Sequence, residues 1–244
     1  MTTLDRHQMV RQLESSLKRL QTDYIDLYQT HWPDHGMRHE ETLSALTDLK
    51  KAGKIRLAGT SNETSWGLMK GLWSSDRHHL DRMETVQNNF SLINRRCESE
   101  LAQVCRQEQV SLLPYSPLGG GVLCGKYQGG AFPEGARFSI YMSLGRERQK
   151  KMVQRFVNDR TLAMVDRVQA VADSIGMNLT TLATAWSKQH DFVASTIIGA
   201  SHVDQLQQSL AAADLDLDCE TMERLAVIED EIPNAMPEDG LRRL

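Results

Sequence analysis

A chain of 244 residues, 40% hydrophobic and 25% charged, has apolar material for a sizeable core and the length of one large domain or two small ones. Its formal charge of −4 leaves no electrostatic case for nucleic acid or an anionic membrane as partner. The opening MTTLDRHQMVRQLESSLKRL is too polar for a leader peptide, and no later run reaches the roughly eighteen apolar residues of a membrane span, so a cytoplasmic location is expected.

Taken in chain order, Leu4–Leu20 is predicted to be an amphipathic helix. Met9, Val10, Leu13, Leu17 and Leu20 recur at helical spacing, with Thr3 as N-cap. DYIDLYQT (Asp23–Thr30) is rich in aromatic and branched residues and reads as a strand, and Glu40–Ala52 as a helix stopped by Gly53. Lys54–Asn62 is a strand, Glu63–Leu72 a helix, Met83–Ser91 a strand, Ser99–Glu108 a helix and Val110–Leu118 a strand. From Gly119 to about Ser143 the Gly and Pro content marks a long loop, whose length suggests a functional flap. In the basic run RERQKKMVQR (Arg146–Arg155), Met152, Val153 and the following Phe156 interrupt the charges at helical spacing, so the run reads as the solvated face of a helix. Leu162–Ile175 and Leu179–Lys188 are helical, Ala194–Ser201 a strand, and Val203–Ala212 and Asp218–Glu229 the closing helices.

Alternation of this kind implies parallel strands joined by crossover helices, an α/β fold of the (β/α)8 barrel type, in which chemistry sits on loops leaving the C-terminal strand ends. His31, Thr60–Asn62, Gln87–Asn88, Tyr115–Ser116 and Gly199–Ser201 all fall at such ends. A closed barrel needs eight strands and five are expected here, so residues 1–244 read as a single but incomplete barrel domain, with strand edges open to self-association. Cys97, Cys105, Cys124 and Cys219 lie in no zinc-like or CxxC spacing and read as reduced thiols. Nor is a metal expected at His31, Asp34 and His35, because Pro33 opposes the helix that would align the two histidines.

The stretches TDYIDLYQTHWPD, GKIRLAGTSN, VQNNFSLINRR, LLPYSPLGGGVLCGKY and STIIGASHVDQL, in this order, resemble the aldo-keto reductases, particularly the branch with the potassium-channel β-subunits and related bacterial reductases. The match runs from the fourth to the eighth βα unit of that barrel. The resemblance implies NADPH or NADP+ as cofactor, NAD being allowed, and a small carbonyl or alcohol substrate. It assigns the nicotinamide carboxamide to Ser61, Asn62 and Gln87, and the stacked ring to Tyr115. Ser116, Pro117, Leu118, Gly119 and Gly120 would run along the pyrophosphate, with Lys126 and Arg137 folded over it. Gly199, Ser201, Gln205, Gln208 and Ser209 would hold the adenosine end. That branch usually has Glu and Asn where Gln208 and Ser209 stand, and often Arg in place of His202.

The residues alone also allow blander roles: Tyr115 as a core aromatic, Gln87 as a structural amide, Lys126 and Arg137 as solvated surface. His31 aligns with the family histidine that donates to the substrate carbonyl, and Trp32 with the pocket wall. The aspartate, tyrosine and lysine that complete the family's catalytic set come from the first three βα units, which this chain does not contain, and Tyr24, Tyr28, Tyr127 and Tyr141 lack the motif around the family tyrosine. Three expectations follow: a shortened carbonyl reductase, a non-catalytic nucleotide-binding regulatory subunit, or a half-barrel completed by another chain.

Overall fold

The computed structural model describes residues 4–237. Its described residues divide into two compact units: 4–88 with Glu100–Leu113, and Asn89–Ser99 with 114–237.

The first unit opens on α1 (Arg6–Leu20), whose buried face is Met9, Leu13 and Leu17, a single stripe at i, i+4 and i+8. The expected cap Thr3 lies outside the described residues; Asp5 caps the helix, its carboxylate accepting from the Gln8 N–H at 2.9 Å. There follow β1 (Ile25–Gln29), α2 (His39–Lys51), β2 (Ile55–Ser61), α3 (Ser65–His78), β3 (Met83–Gln87), α4 (Leu101–Glu108) and β4 (Ser111–Leu112). At the end of α2 the N–H of Lys54 donates to Leu49 O and that of Gly53 to Lys50 O, the bond pair that closes a helix on a left-handed glycine. α3 outruns its expected end at Leu72 because Ser74 and Ser75, polar but small, are buried and prolong the packed face.

The strands form one parallel sheet in chain order, β1-β2-β3-β4. Leu27 lies opposite Leu57 and Gln29 opposite Gly59; a bulge in β3 then sets Thr85 opposite Gly59 and Gln87 opposite Ser61. Side chains alternate across the pleat. Ala58, Thr60, Val86 and Leu112 point to the buried, helix-covered side, while Leu57, on the other side, is 43% exposed. β4 is much shorter than Val110–Leu118, since Pro114 and Pro117 supply no N–H to a ladder.

The second unit is mostly helical: α5 (Arg137–Ser143), α6 (Glu147–Phe156), α7 (Asp159–Ser174), α8 (Leu179–Lys188), α9 (Leu206–Leu210) and α10 (Cys219–Glu231). α7 packs against both α8 and α10. Phe90, Trp186, His190 and Phe192 form an aromatic cluster with ring centroids 4.7–5.7 Å apart. The basic run lies in α6, which buries Val153 and Phe156 and exposes its charges.

Three expectations are corrected here. Ala194–Ser201 is not a strand: Ile197 alone makes a parallel bridge, to Tyr115, its N–H reaching Pro114 O at 2.8 Å. The prolines on both sides of Tyr115 keep that bridge from growing into a ladder. The long loop contains 3-10 turns at Gly119–Cys124 and Gln128–Gly130 and then α5, and Val203–Ala212 is a 3-10 turn (Val203–Gln205) running into α9. Among the described residues no helix is long and apolar enough to cross a membrane.

Two substitutions measure these elements. Leu13→Ala removes a fully buried side chain from α1 and is expected to cost about 2–5 kcal/mol. Asn158→Ala breaks the reciprocal cap of α7, in which Asn158 accepts from the Thr161 N–H at 3.2 Å and Thr161 accepts from the Asn158 N–H at 3.2 Å, and should cost about 1 kcal/mol. Urea unfolding followed by circular dichroism checks both, the Leu13 variant having the lower midpoint.

Candidate functional site

In the first unit, the ends of β1, β2 and β3 are tied by side chains on the less covered side of the sheet. Gln87 donates through Nε2 to Gln29 Oε1 at 2.9 Å, and Gln29 in turn donates through Nε2 to Thr85 Oγ1 at 3.1 Å. Gly59 makes that meeting possible: a Cβ there would sit 2.2 Å from Thr85 Oγ1 and 3.0 Å from the Gln29 side chain. Ser61 Oγ donates to Gln87 O at 2.7 Å, and Asn62 Nδ2 reaches His31 O at 2.8 Å and Ser61 Oγ at 3.2 Å. Asn62 is a non-glycine residue at φ +57° and accepts its strain in return for a third tie, its N–H to Gln87 O at 2.9 Å.

Ser61 and Asn62 are therefore buried, each 3% exposed, with hydroxyl and amide already engaged, whereas Gln87 is half-buried. A ligand amide arriving here exchanges partners with an existing network rather than filling empty donors. His31 is exposed beyond the tip of β1, its ring 6.0 Å from that of half-buried Trp32 and its carbonyl fixed by Asn62.

The second unit holds a groove of about 760 Å³. Tyr115, Ser116, Pro117, Leu118 and Gly120 form one part of its wall, Lys126 and Arg137 another, and Gly199, Ser201, Gln205 and Gln208 a third. Of the candidates in this unit, Gly119 and Ser209 do not line it; both are buried. Tyr115 is half-buried, and Gln205 Oε1 accepts from the Ser201 N–H at 3.0 Å and from its hydroxyl at 3.3 Å.

The shape of this groove rests on Phe138. Its fully buried ring lies against Tyr127 and Phe156, both at 5.4 Å, and its N–H donates to the Tyr127 hydroxyl at 3.2 Å. Burial pushes the Tyr127 hydroxyl above the usual phenol range, so it stays protonated. Directly over the ring sits Gly120 at φ +67°, where a Cβ would meet Phe138 Cζ at 2.5 Å. The backbone can come this close only without a side chain. Phe138 thereby pins the start of α5, and with it Arg137, at the groove.

Arg137 and Lys126 make no ion pair among the described residues, and no Asp or Glu lines the groove. Two cations without counter-charge beside a glycine-lined backbone constitute a field suited to an anion. Among the described residues there is no group of three or more His, Cys, Asp or Glu arranged to hold a metal.

Sequence reasoning missed Gln29, which accepts from Gln87, and Thr85 behind it, and also Thr180, Ile197 and Tyr141, which are among the further residues lining the groove. Gln29 was accessible in principle, since it shares a pleat face with the strand-end residues; Thr180 lies on α8, with no local signal.

A model of the aldo/keto reductase family matches residues 1–230. Protein tas of Escherichia coli (strain K12) is 40% identical over 234 residues, covering 88% of this chain and 64% of that protein. The probable voltage-gated potassium channel subunit beta of Arabidopsis thaliana is 32% identical over 213 residues, 87% of this chain and 63% of its own length. An aldo-keto reductase of Babesia bovis is 32% identical, with 80% of its length covered. The chain thus spans somewhat under two thirds of the first two relatives. The family match over nearly the whole chain, together with the parallel sheet, places this protein in the aldo/keto reductase family.

Proposed function

We propose that the chain carries the fourth to eighth βα units of an aldo-keto reductase barrel and binds NADP(H), and that the whole protein interconverts aldehydes or ketones with alcohols. The single observation that carries this reading is the groove of the second unit, where Lys126 lies against the Gly121 backbone and Arg137 precedes the Phe138 that packs on Gly120, neither cation in an ion pair among the described residues. When bound, the nicotinamide nucleotide supplies the hydride. The two cations meet its phosphates, Tyr115 offers a flat ring, and Ser201 with Gln205 offers hydroxyl and amide at the adenosine end.

In the first unit, Gln87 is the accessible amide for the carboxamide, and Ser61 and Asn62 set its position. Gly119 and Ser209 serve the groove from beneath. His31 is the donor proposed for the substrate oxygen, with Trp32 beside it. A proton donor of tyrosine type is not identified in this chain, and general acid catalysis is worth about 10²–10⁴-fold. Nucleotide binding without efficient turnover is therefore expected of these 244 residues by themselves. A cytoplasmic location belongs to the same reading, in keeping with four free cysteines.

A second reading has its own support. Among the described residues β1 is an edge strand of the sheet, and Leu57 on the neighbouring β2 leaves one sheet face 43% exposed at that position. On this reading the chain self-associates or pairs with another polypeptide through that edge.

Quenching of protein fluorescence by NADPH tests the first proposal. The native chain should bind saturably. Lys126→Ala with Arg137→Ala should weaken binding at least about tenfold, because charge-assisted hydrogen bonds contribute about 1.5–3 kcal/mol each. Equal affinity in the double variant, or no saturable binding at all, refutes the proposal. Gly120→Ala, forced against Phe138, should lower both affinity and the unfolding midpoint. Light scattering at two concentrations separates the second reading: a mass that does not change with concentration and equals one chain counts against it.

A further inference from the structure

The first unit contains a second cavity, of about 170 Å³, on the other side of the sheet. Thr30 and Thr60 line it, and in a pleated strand each points away from its neighbours Gln29 and Ser61. The cavity lies between the sheet and the start of α3, with Glu63, Trp66 and Gly67 on its wall and Leu43, Leu68 and Met83 at its apolar base.

Glu63 is a charged residue where none is needed for packing. It is only 6% exposed. Its Oε1 accepts from the Thr64 N–H at 2.9 Å, but no donor among the described residues reaches Oε2. Gly67 is what lets the side chain fold back over the first turn of α3, since a Cβ there would lie 2.0 Å from Oε1. Burial pushes this carboxyl above the usual range, a cost that a bound cation would offset.

Among the described residues no neighbouring group forms an ion pair with Glu63. Asp34, the other acid on the wall, is half-buried and has each oxygen engaged by a backbone donor: Oδ1 accepts from the Gly36 N–H at 3.0 Å and Oδ2 from the Leu4 N–H at 3.1 Å. His39 is held toward its neutral form by burial. Lys70 turns its Nζ over the Trp73 ring, 3.7 Å from the centroid. His35, the remaining titratable group on the wall, is exposed and draws the Glu63 carboxyl down only from a distance, with no hydrogen bond to it among the described residues.

We propose that this cavity is a binding site for a small organic cation, an ammonium or amidinium on a compact apolar body, whose N–H groups donate to Glu63 Oε2. The volume is below the roughly 300 Å³ at which drug-sized sites begin, so the ligand is about one ring in size. Trp66, 69% exposed and edge-on to His39 at 6.3 Å, stands at the mouth and adds a ring face for a cation.

Benzamidine is a suitable probe, titrated calorimetrically into the full chain, with benzyl alcohol as an uncharged counterpart. Saturable one-to-one binding of benzamidine and not of benzyl alcohol is expected. Glu63→Gln should weaken it at least about tenfold, as loss of a charged hydrogen-bond partner implies. Trp66→Ala, at an exposed position, should weaken it several-fold with the circular dichroism spectrum unchanged, and this variant decides the matter if Glu63→Gln does not fold. Absence of saturable benzamidine binding, equal binding of the alcohol, or undiminished affinity in either folded variant overturns the proposal.

Discussion

The two sides of a parallel strand are chemically separate worlds, and the first unit is organised by that alternation. Along β1 and β2, one set of residues meets the helices and the next set meets the opposite space. Gln29, Ser61 and Gln87 fall on one side and join into a polar network; Thr30 and Thr60 fall on the other, where Thr30 Oγ1 donates to Thr60 Oγ1 at 3.0 Å beside a cavity. Neither arrangement could be moved alone. A change in pairing would exchange them wholesale.

In the second unit the governing contact is between an aromatic ring and a backbone without a side chain. Phe138 fills the space beneath Gly120, the glycine-rich turn settles on it, and Arg137 follows as its chain neighbour. A buried hydrophobic contact thus positions a charge at the surface. The charge at the groove follows from core packing, through the gap that Gly120 leaves for the Phe138 ring.

Much of this could be read from the chain. Periodicity located α1, α2, α7 and α8 within a few residues, and branched, apolar runs located β1 to β3. Where reading failed, short-range composition was overruled by partners distant in sequence. STIIGAS has strand-like residues, yet the segment it meets carries Pro114 and Pro117, so one bridge forms and no more. The Gly-rich stretch after Leu118 looked like an open loop because Tyr127, Phe138 and Phe156, which order it, are spread over thirty positions. Most of the groove residues were found through family likeness; Glu63 was read only as the start of the helix to Leu72, and nothing near it in sequence shows that its carboxyl is buried.

The bulge between β2 and β3 reaches further than its size suggests. A regular ladder past Ala58 would set Glu84, not Thr85, opposite Gly59, and Val86, not Gln87, opposite Ser61. The nearest competing register would thus take the fully buried Val86 off the helix-covered side and press Thr85 and Gln87 against the helices. A sheet paired one step out of phase is penalised on both faces at once, so the extra residue in β3 decides which side chains can reach Gln29 and which reach the helices.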